Sequence, residues 1–567
     1  MIARHLKKVA LGAVALLGCH AVKADDGGIL PDVRARTTHE RLDRPVGVPS
    51  DAELESAHAR IGTVTILAHN IFDTARPEEN TSLFRLANEL HLRTHAATVR
   101  SQLLFAEGAR YDGRLLQESE RILRTTRYLQ DANIRPVAWH DGLVDVEVIT
   151  HDVWTLNPGV SFGRKGGKNS TGVGIEELNF LGLGKQLSFE RKSNVDRTST
   201  ALRYVDPQLL SSWWRLTAGY SDNSDGRTKE FDLEHPFYAL DTRWATGFTG
   251  KTDERVDSLY NLGKIRDQFG VAEKNGTIYG GWSRGLRDGW TTRLTYGATY
   301  DESRFHSVIG ETGPTQLVPA DRKLVYPWLG YEWIQDEYEK TRNRDQIEKT
   351  EDFLLGLHAH TQLGYATTSL GSDRNAWMFD AGLSRGFAPG SRHRILLSST
   401  VTGRHDSTGF ADVRSEVAAR YYFRQSDRRL LFLSATVDAA SNLDPDHQIL
   451  LGGENGLRGY PLRYQAGEGS WLVTAEQRFF TNWYPFRLFN VGGAIFTDIG
   501  RTWGGNTGGT PSRGLSLGVL KDVGFGLRFG NSRSALGNVL HVDVAVPLDG
   551  GSDIQKVQFL VSTQRSF

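Results

Sequence analysis

Apolar and polar side chains alternate from Trp154 to the carboxy terminus, in runs of roughly 9 to 16 residues separated by glycine, aspartate, asparagine and serine. A period of two belongs to a strand, whose successive side chains point to opposite faces. Val523, Phe525, Leu527 and Phe529 share one face of such a run, and Gly524, Gly526, Arg528 and Gly530 share the other. Likewise Leu540, Val542, Val544 and Val546 oppose His541, Asp543 and Ala545, and the final run sets Val557, Phe559, Val561 and Phe567 against Gln558, Ser562, Gln564 and Ser566. No segment beyond the amino terminus approaches the about eighteen consecutive apolar residues that a membrane-spanning helix needs. Two outlets are left: a soluble sandwich or propeller, or a closed barrel, which besides the helix is the one way to pair every backbone polar group in lipid. The runs show no fixed blade period, and their polar faces mix Gly, Arg and Asp as a wet lumen does. The expected fold is mainly β, a 16-stranded antiparallel transmembrane β-barrel over residues 153–567, at roughly 26 residues per strand with its loop.

The amino terminus fixes the compartment. Arg4, Lys7 and Lys8 precede an apolar Val9–Leu17 stretch, and Val22-Lys23-Ala24 supplies small residues at a cleavage site, so residues 1–24 read as a secretory signal peptide. Leu16-Leu17-Gly18-Cys19 also resembles a lipoprotein cleavage box, although Leu at its second position is atypical. Cys19 is the single cysteine, so a chain cut after Ala24 has no disulfide, no thiolate metal site and no cysteine nucleophile. Basic and acidic side chains balance at 67 each, which leaves no excess charge for a phosphate backbone and argues against nucleic acid as a partner. Together these place the barrel in the outer membrane with lipid around it.

Residues 25–60 are polar, contain Pro31, Pro45 and Pro49, and read as an arm or linker. Over residues 61–152 the texture changes to a small α+β module. Ile61, Val64 and Ile66 mark a strand, and His95–Phe105 carries Val99, Leu103 and Leu104 at helical spacing. Asp112 stands where an N-cap belongs, ahead of a helix face of Leu115, Leu116, Ile122, Leu123 and Leu129. Ile134–Trp139 and Leu143–Thr150 then read as two strands joined at His140-Asp141-Gly142, a hairpin signal.

One constellation stands out. Residues 449–460 read ILLGGENGLRGY, with glycines at 452, 453, 456 and 459 that permit tight turns close to other chain. Downstream, in AIFTDIG, strand geometry puts Phe496, Asp498 and Gly500 on one face with Gly492 and Ala494, and puts Val491, Ile495, Thr497 and Ile499 on the lipid side. On the preceding run Trp471, Val473, Ala475 and Phe479 face lipid, so Glu476 and Arg478 point inward. Arg458 can therefore fold back into the lumen to meet Asp498 and Glu476, a geometry for which a permanently charged, bidentate guanidinium is suited. Spacing alone leaves a second reading open, in which Arg458 is a solvated loop charge and Asp498 an ordinary lumen carboxylate.

The loop GGENGLRGY resembles the sixth extracellular loop motif of the superfamily that contains the barrel-assembly subunit BamA, the translocation subunit TamA and the two-partner secretion transporters. Phe496-Thr497-Asp498-Ile499-Gly500 is similar to its F-x-D-x-G strand motif, and Asn179-Phe180-Leu181-Gly182-Leu183-Gly184 is similar to an element near its first hairpin. The terminal Phe567 resembles its barrel closure signal, and the module over 61–152 resembles a polypeptide-transport-associated (POTRA) domain. The resemblance implies a sixteen-stranded barrel. It also implies an inward loop, Gly452, Gly453, Leu457, Arg458, Gly459 and Tyr460, whose Arg458 contacts Asp498, with Glu476 at a second acidic position. A single POTRA module is the departure, since assembly subunits carry several and two-partner transporters two.

The function so implied is insertion, assembly or translocation of proteins at the outer membrane, with a periplasmic module that captures unfolded client polypeptides by β-augmentation, alone or with periplasmic chaperones or accessory lipoproteins. The alternatives are export of one dedicated secreted polypeptide, and a passive channel or structural barrel. No catalytic residue, cofactor or metal is expected. G-x-S-x-G is absent, and His91 with His95 and His358 with His360 are the nearest approaches to ligand pairs, with no evident carboxylate or third ligand.

Overall fold

The computed structural model describes residues 44–504, 518–531, 533–534, 539–551, 554–564 and 566. The signal segment 1–24, Cys19 and Phe567 lie outside the described residues.

The module is built on a three-stranded sheet, β1 (Arg60–His69), β2 (Leu129–His140) and β3 (Leu143–Asp152), in the order β1-β3-β2. β3 runs parallel to β1 and antiparallel to β2. Asp141 and Gly142, both at positive φ (49° and 76°), form the two-residue turn between β2 and β3 whose twist matches paired strands. Four helices accompany the sheet: α1 (Asp51–Ser56), α2 (Ser82–Leu90), α3 (Ala96–Arg100) and α4 (Gly113–Thr125). The Asp112 carboxylate caps α4 by accepting the N–H groups of Arg114 and Leu115 at 2.9 and 3.3 Å. Leu116 and Leu123 of α4 bury against Val144, Val146 and Val148 of β3.

Several local expectations change. The His95–Phe105 helix is one short turn of helix, α3, because the chain turns at Ser101 and Gln102 to bring Leu103 and Phe105 onto the core. Leu129 begins β2 and does not extend the helix face. Residues 51–56, within the stretch read as a polar arm, form α1, capped by Ser50, and its Leu54 is fully buried in the module core.

From Leu156 the described residues form one closed antiparallel barrel of twenty strands. This corrects the expected sixteen. The division by length fails at the start of the barrel, where six strands of 9 to 13 residues fit between Leu156 and His235. Tight turns make that possible; the first is Gly166-Gly167, with both residues at positive φ. Some later strands are much longer, up to 24 residues in Lys264–Arg287, so the mean conceals the count. Large apolar side chains cover the outer wall, among them Ile278, Leu329, Ile495, Phe525 and Phe559, each about half exposed or more.

The strands leave the module end of the barrel at Leu156 and alternate, which fixes the ends at which the connections lie. The turn 181–184 faces the module, where His95 N–H donates to the Gly182 carbonyl at 3.0 Å and Asn179 Nδ2 donates to Thr94 Oγ1 at 2.9 Å. The Ile449–Tyr460 segment belongs to the far end. The wall is weakest where it closes: the last strand (Gln558–Gln564) meets the first (Leu156–Lys165) through one register pair among the described residues, Val561 with Arg164. The last strand's other neighbour is held by seven.

Replacing Asp112 by Ala is expected to destabilise the α4 amino terminus by about 1 kcal/mol. Hydrogen exchange of the Arg114 and Leu115 amides in the full chain measures this, with faster exchange expected there and unchanged exchange in the barrel strands.

Candidate functional site

The connection between strands Arg429–Ser441 and Gly469–Phe480 starts as a short hairpin, Ile449–Leu451 with Gln465–Gly467, and then drops into the barrel. Its glycines fit that path. Gly452 sits at φ 126°, and a Cβ there would lie 2.6 Å from the Pro461 carbonyl oxygen. At Gly459 a Cβ would lie 2.7 Å from Asp522 Cβ, so only a bare backbone can approach the wall this closely. Gly453 supplies the next turn residue at φ 64°. Leu457, fully buried, packs with Leu451, Tyr460, Tyr464, Leu520 and Ile554 and holds the descending loop on apolar contact.

Arg458 is the point of attachment. Its Nε donates to Asp498 Oδ2 at 2.8 Å and its Nη2 to Asp498 Oδ1 at 3.0 Å, a two-pronged pair, while Nη1 donates to Glu476 Oε1 at 2.8 Å. The guanidinium carbon lies 3.4 Å from the centre of the Phe496 ring, so the planar cation also stacks on an aromatic face. Burial would lower the Arg458 pKa, but the Asp498 and Glu476 carboxylates outweigh it and push it up, so the group is a permanent cation. Asp498 receives a further hydrogen bond from Thr474 Oγ1 at 2.8 Å. The side chains of Asp498 and Glu476 are 1% and 6% exposed; Asp498 takes its counter-charge from Arg458, and Glu476 shares Arg458 with a second cation, Arg478.

The neighbouring residues complete the anchor. Gly459 N–H donates to Asp522 Oδ2 at 2.9 Å, and the buried Tyr460 hydroxyl lies 2.8 Å from the Lys521 carbonyl oxygen and 2.9 Å from that of Asp549. A Cβ on Gly500 would meet the Trp471 carbonyl at 2.6 Å, which marks this position as a close backbone approach. Beyond the loop, Arg463 pairs with Asp196 at 2.7 and 2.8 Å and lies over Tyr260. All the loop and strand residues singled out in the sequence, Gly452, Gly453, Leu457, Arg458, Gly459, Tyr460, Glu476, Phe496, Asp498 and Gly500, therefore meet in one place; Phe567 lies outside the described residues.

Sequence reasoning did not single out Asp522, which stands opposite Asp498 on the next strand and takes the Gly459 amide. It gave Arg478 an inward direction but no partner, whereas Arg478 donates to Glu476 Oε2 at 3.1 Å and lies 4.0 Å over Phe432, and it did not pair the fully buried Arg528 and Asp543. The signal was present: Asp522 and Arg528 share the parity of Gly524 and Gly526, the inward face.

The histidine expectation is overturned in part, since carboxylates do stand beside them. His91 Nε2 is 2.9 Å from Asp152, His358 Nε2 is 2.8 Å from Glu332, and His360 Nε2 is 2.9 Å from Asp380. These are paired contacts, and among the described residues none of them joins a group of three ligand side chains. Asp412, Asp444 and His447 do cluster, but Arg404 and Arg322 already hold Asp444 at 2.6 and 2.8 Å, so the cluster is an ion-pair lattice.

A closed antiparallel wall with an apolar exterior, a charged interior and a loop pinned inside it defines a transmembrane β-barrel of the outer-membrane class. Residues 322–564 match the Omp85 superfamily domain, and this carboxy-terminal part of the chain is an Omp85 superfamily domain. Among solved structures the chain is similar to BamA from Haemophilus ducreyi lacking POTRA domains 1-3, at 14% identity and a TM-score of 0.38, covering 89% of this chain and 85% of that one. It is also similar to CdiB from Acinetobacter baumannii (13%, TM-score 0.42, 89% and 74%) and CdiB from Escherichia coli (12%, TM-score 0.45, 89% and 76%). No curated protein matches the chain.

Arg458→Ala leaves the buried Asp498 carboxylate without its cation, while Glu476 keeps Arg478, and is expected to cost about 3–5 kcal/mol. Arg458→Lys keeps the charge, loses the two-pronged geometry and is expected to fall between. Urea unfolding in lipid vesicles gives the order, and cleavage by an added protease within 452–460 should appear in the alanine variant first.

Proposed function

We propose that the chain is an outer-membrane barrel that inserts, assembles or translocates other proteins, with its amino-terminal module acting as a POTRA domain in the periplasm. The observation that carries this reading is how the Arg458 loop lies against both sides of the weak closure. On the last-strand side, Gly459 and Tyr460 engage Asp522, Lys521 and Asp549. On the first-strand side, a Cβ on Gly166, in the first barrel turn, would lie 2.7 Å from the Pro461 carbonyl carbon. The loop thus braces a seam held by one register pair among the described residues. A strand edge freed in lipid must find new hydrogen-bond partners, so a parted seam can template a strand of an incoming client.

The module supports capture. In the order β1-β3-β2, each outer strand has one neighbour, and the start of β1 is partly covered by Ala109 and Tyr111 through backbone hydrogen bonds of 2.8 and 2.9 Å. β2 therefore offers the freer edge for β-augmentation by an unfolded polypeptide, delivered directly or by periplasmic chaperones and accessory lipoproteins. The driving force is the folding of the client. Export of one dedicated secreted polypeptide through the lumen is the second reading, and it requires the chain packed inside the barrel to move aside.

Arg164 and Val561 face each other across the seam. A disulfide between Arg164→Cys and Val561→Cys is expected to abolish insertion in oxidised cells and to restore it on reduction. Proteomics of the outer membrane and of the culture supernatant after depletion separates the readings: loss of many barrels supports insertion, and loss of one secreted species supports export.

A further inference from the structure

The connection between strands Arg322–Gln335 and His358–Ala366 lies at the module end, yet it does not stay outside. Its strands Tyr338–Arg342 and Thr350–Leu354 pair in register and carry the tip 343–349 across the barrel mouth to the opposite wall. There Ile347, 3% exposed, enters an apolar socket of Tyr422, Leu430, Phe432, Phe480, Ala494 and Val539. The Arg478 guanidinium donates to the Arg344 carbonyl at 2.8 Å and to Asp345 at 3.2 Å, and the Tyr422 hydroxyl donates to Asp345 at 3.1 Å. The Arg424 side chain donates to the carbonyls of Arg342 and Asn343 at 2.8 and 2.9 Å. The tip is preformed: the Glu351 carboxylate accepts the backbone N–H groups of Arg344, Asp345 and Gln346 at 2.9 to 3.1 Å. A preordered tip loses little entropy on docking.

The base of the same hairpin is tied to the module. Arg124 of α4 forks onto Asp352 at 2.7 and 2.8 Å, Thr350 donates to Asp131 of β2 at 2.8 Å, Lys340 pairs with Glu120, and Arg121 lies 4.1 Å over Tyr338. At the tip, Arg478 also holds Glu476, and Glu476 holds Arg458. One run of charged contacts therefore joins the module, Asp352, the hairpin, Asp345, Arg478, Glu476 and the inward loop.

We propose that this hairpin is a module-operated gate: docked, it closes the periplasmic mouth of the barrel, and movement of the module withdraws it and loosens the Arg458 anchor. The gate rests only on the reading of the chain as a membrane barrel with a periplasmic module, and it serves insertion and export alike. The docked arrangement is discrete, because an ion-paired tip and an apolar plug fill one socket, and packed contacts of this kind switch between states more readily than they deform.

Conductance of the full chain in planar bilayers tests it, with heat-shifted electrophoretic mobility reporting that each variant is a folded barrel. Replacing residues 338–354 by a short glycine-serine link should raise the open fraction by about tenfold. Ile347→Asp, which puts a charge into the apolar socket, should do the same. A Cβ on Gly530 would lie 2.8 Å from Ile347 Cβ, so the pair Ile347→Cys with Gly530→Cys can close a disulfide after a small shift. Oxidised, it should hold the channel shut, and reduction should restore the openings. Asp352→Ala, Thr350→Val and Lys340→Met together remove the hairpin's contacts with Arg124, its Thr350–Asp131 bond and its pair with Glu120 without touching the socket, and should also raise the open fraction. A folded hairpin-less barrel with unchanged conductance would overturn the gate, as would an oxidised pair that conducts freely; wild-type gating in the triple variant at 340, 350 and 352 would overturn its operation by the module. Because no client is present, failure here leaves the insertion and export readings to be judged separately by proteomics.

Discussion

A guanidinium held between two buried carboxylates organises the interior of this barrel. Arg458 satisfies Asp498 and Glu476 at once and stacks on Phe496, and its attachment decides where the whole 442–468 connection runs. Desolvating three charges is expensive, and the net contribution of such a group to stability is smaller than its contacts suggest. Its consequence is positional. With the arginine fixed, Gly459 is pressed against Asp522, the Tyr460 hydroxyl reaches Lys521 and Asp549, and Pro461-Leu462 lies on the first barrel turn. Any conformational change that frees the seam from the loop has to disturb this arrangement or move with it.

The site is also not isolated. Glu476 is shared between Arg458 and Arg478, and Arg478 is shared between Glu476 and the hairpin tip at Asp345. Two elements that enter the lumen from opposite ends of the barrel thus meet on one strand, Gly469–Phe480. The width of a twenty-stranded wall makes room for both.

Alternation made the barrel legible, because a lipid-facing strand must be apolar on one side only. The same parity located Glu476 and Asp498 on the inward face, and the glycines of 452–459 marked a loop that comes close to other backbone. Strand number was not legible. Two-residue turns such as Gly166-Gly167 leave no polar gap to count, and length per strand varies from 7 to 24 residues within one wall. The inward hairpin was equally hidden: its strands, YEKTR and TEDFL, show no apolar–polar alternation, and the dense charge of TRNRDQIEKTED between the barrel runs reads as a loop. Helix α1 escaped notice because a single apolar residue, Leu54, ties its six residues to the core. Asp522 and Arg528 sat on the correct parity but belong to no loop motif, so nothing in the sequence ranked them above other lumen charges.

The central claim is that Arg458 and Asp498 act as one unit in the folded barrel. A double-mutant cycle with Arg458→Ala, Asp498→Ala and the double variant, read by urea unfolding in lipid vesicles, measures this directly. Coupling of about 1–3 kcal/mol is predicted, with the double variant far less damaged than the two single losses combined. Strict additivity would contradict the account, because it would mean that the loop is held in the lumen by something other than this pair.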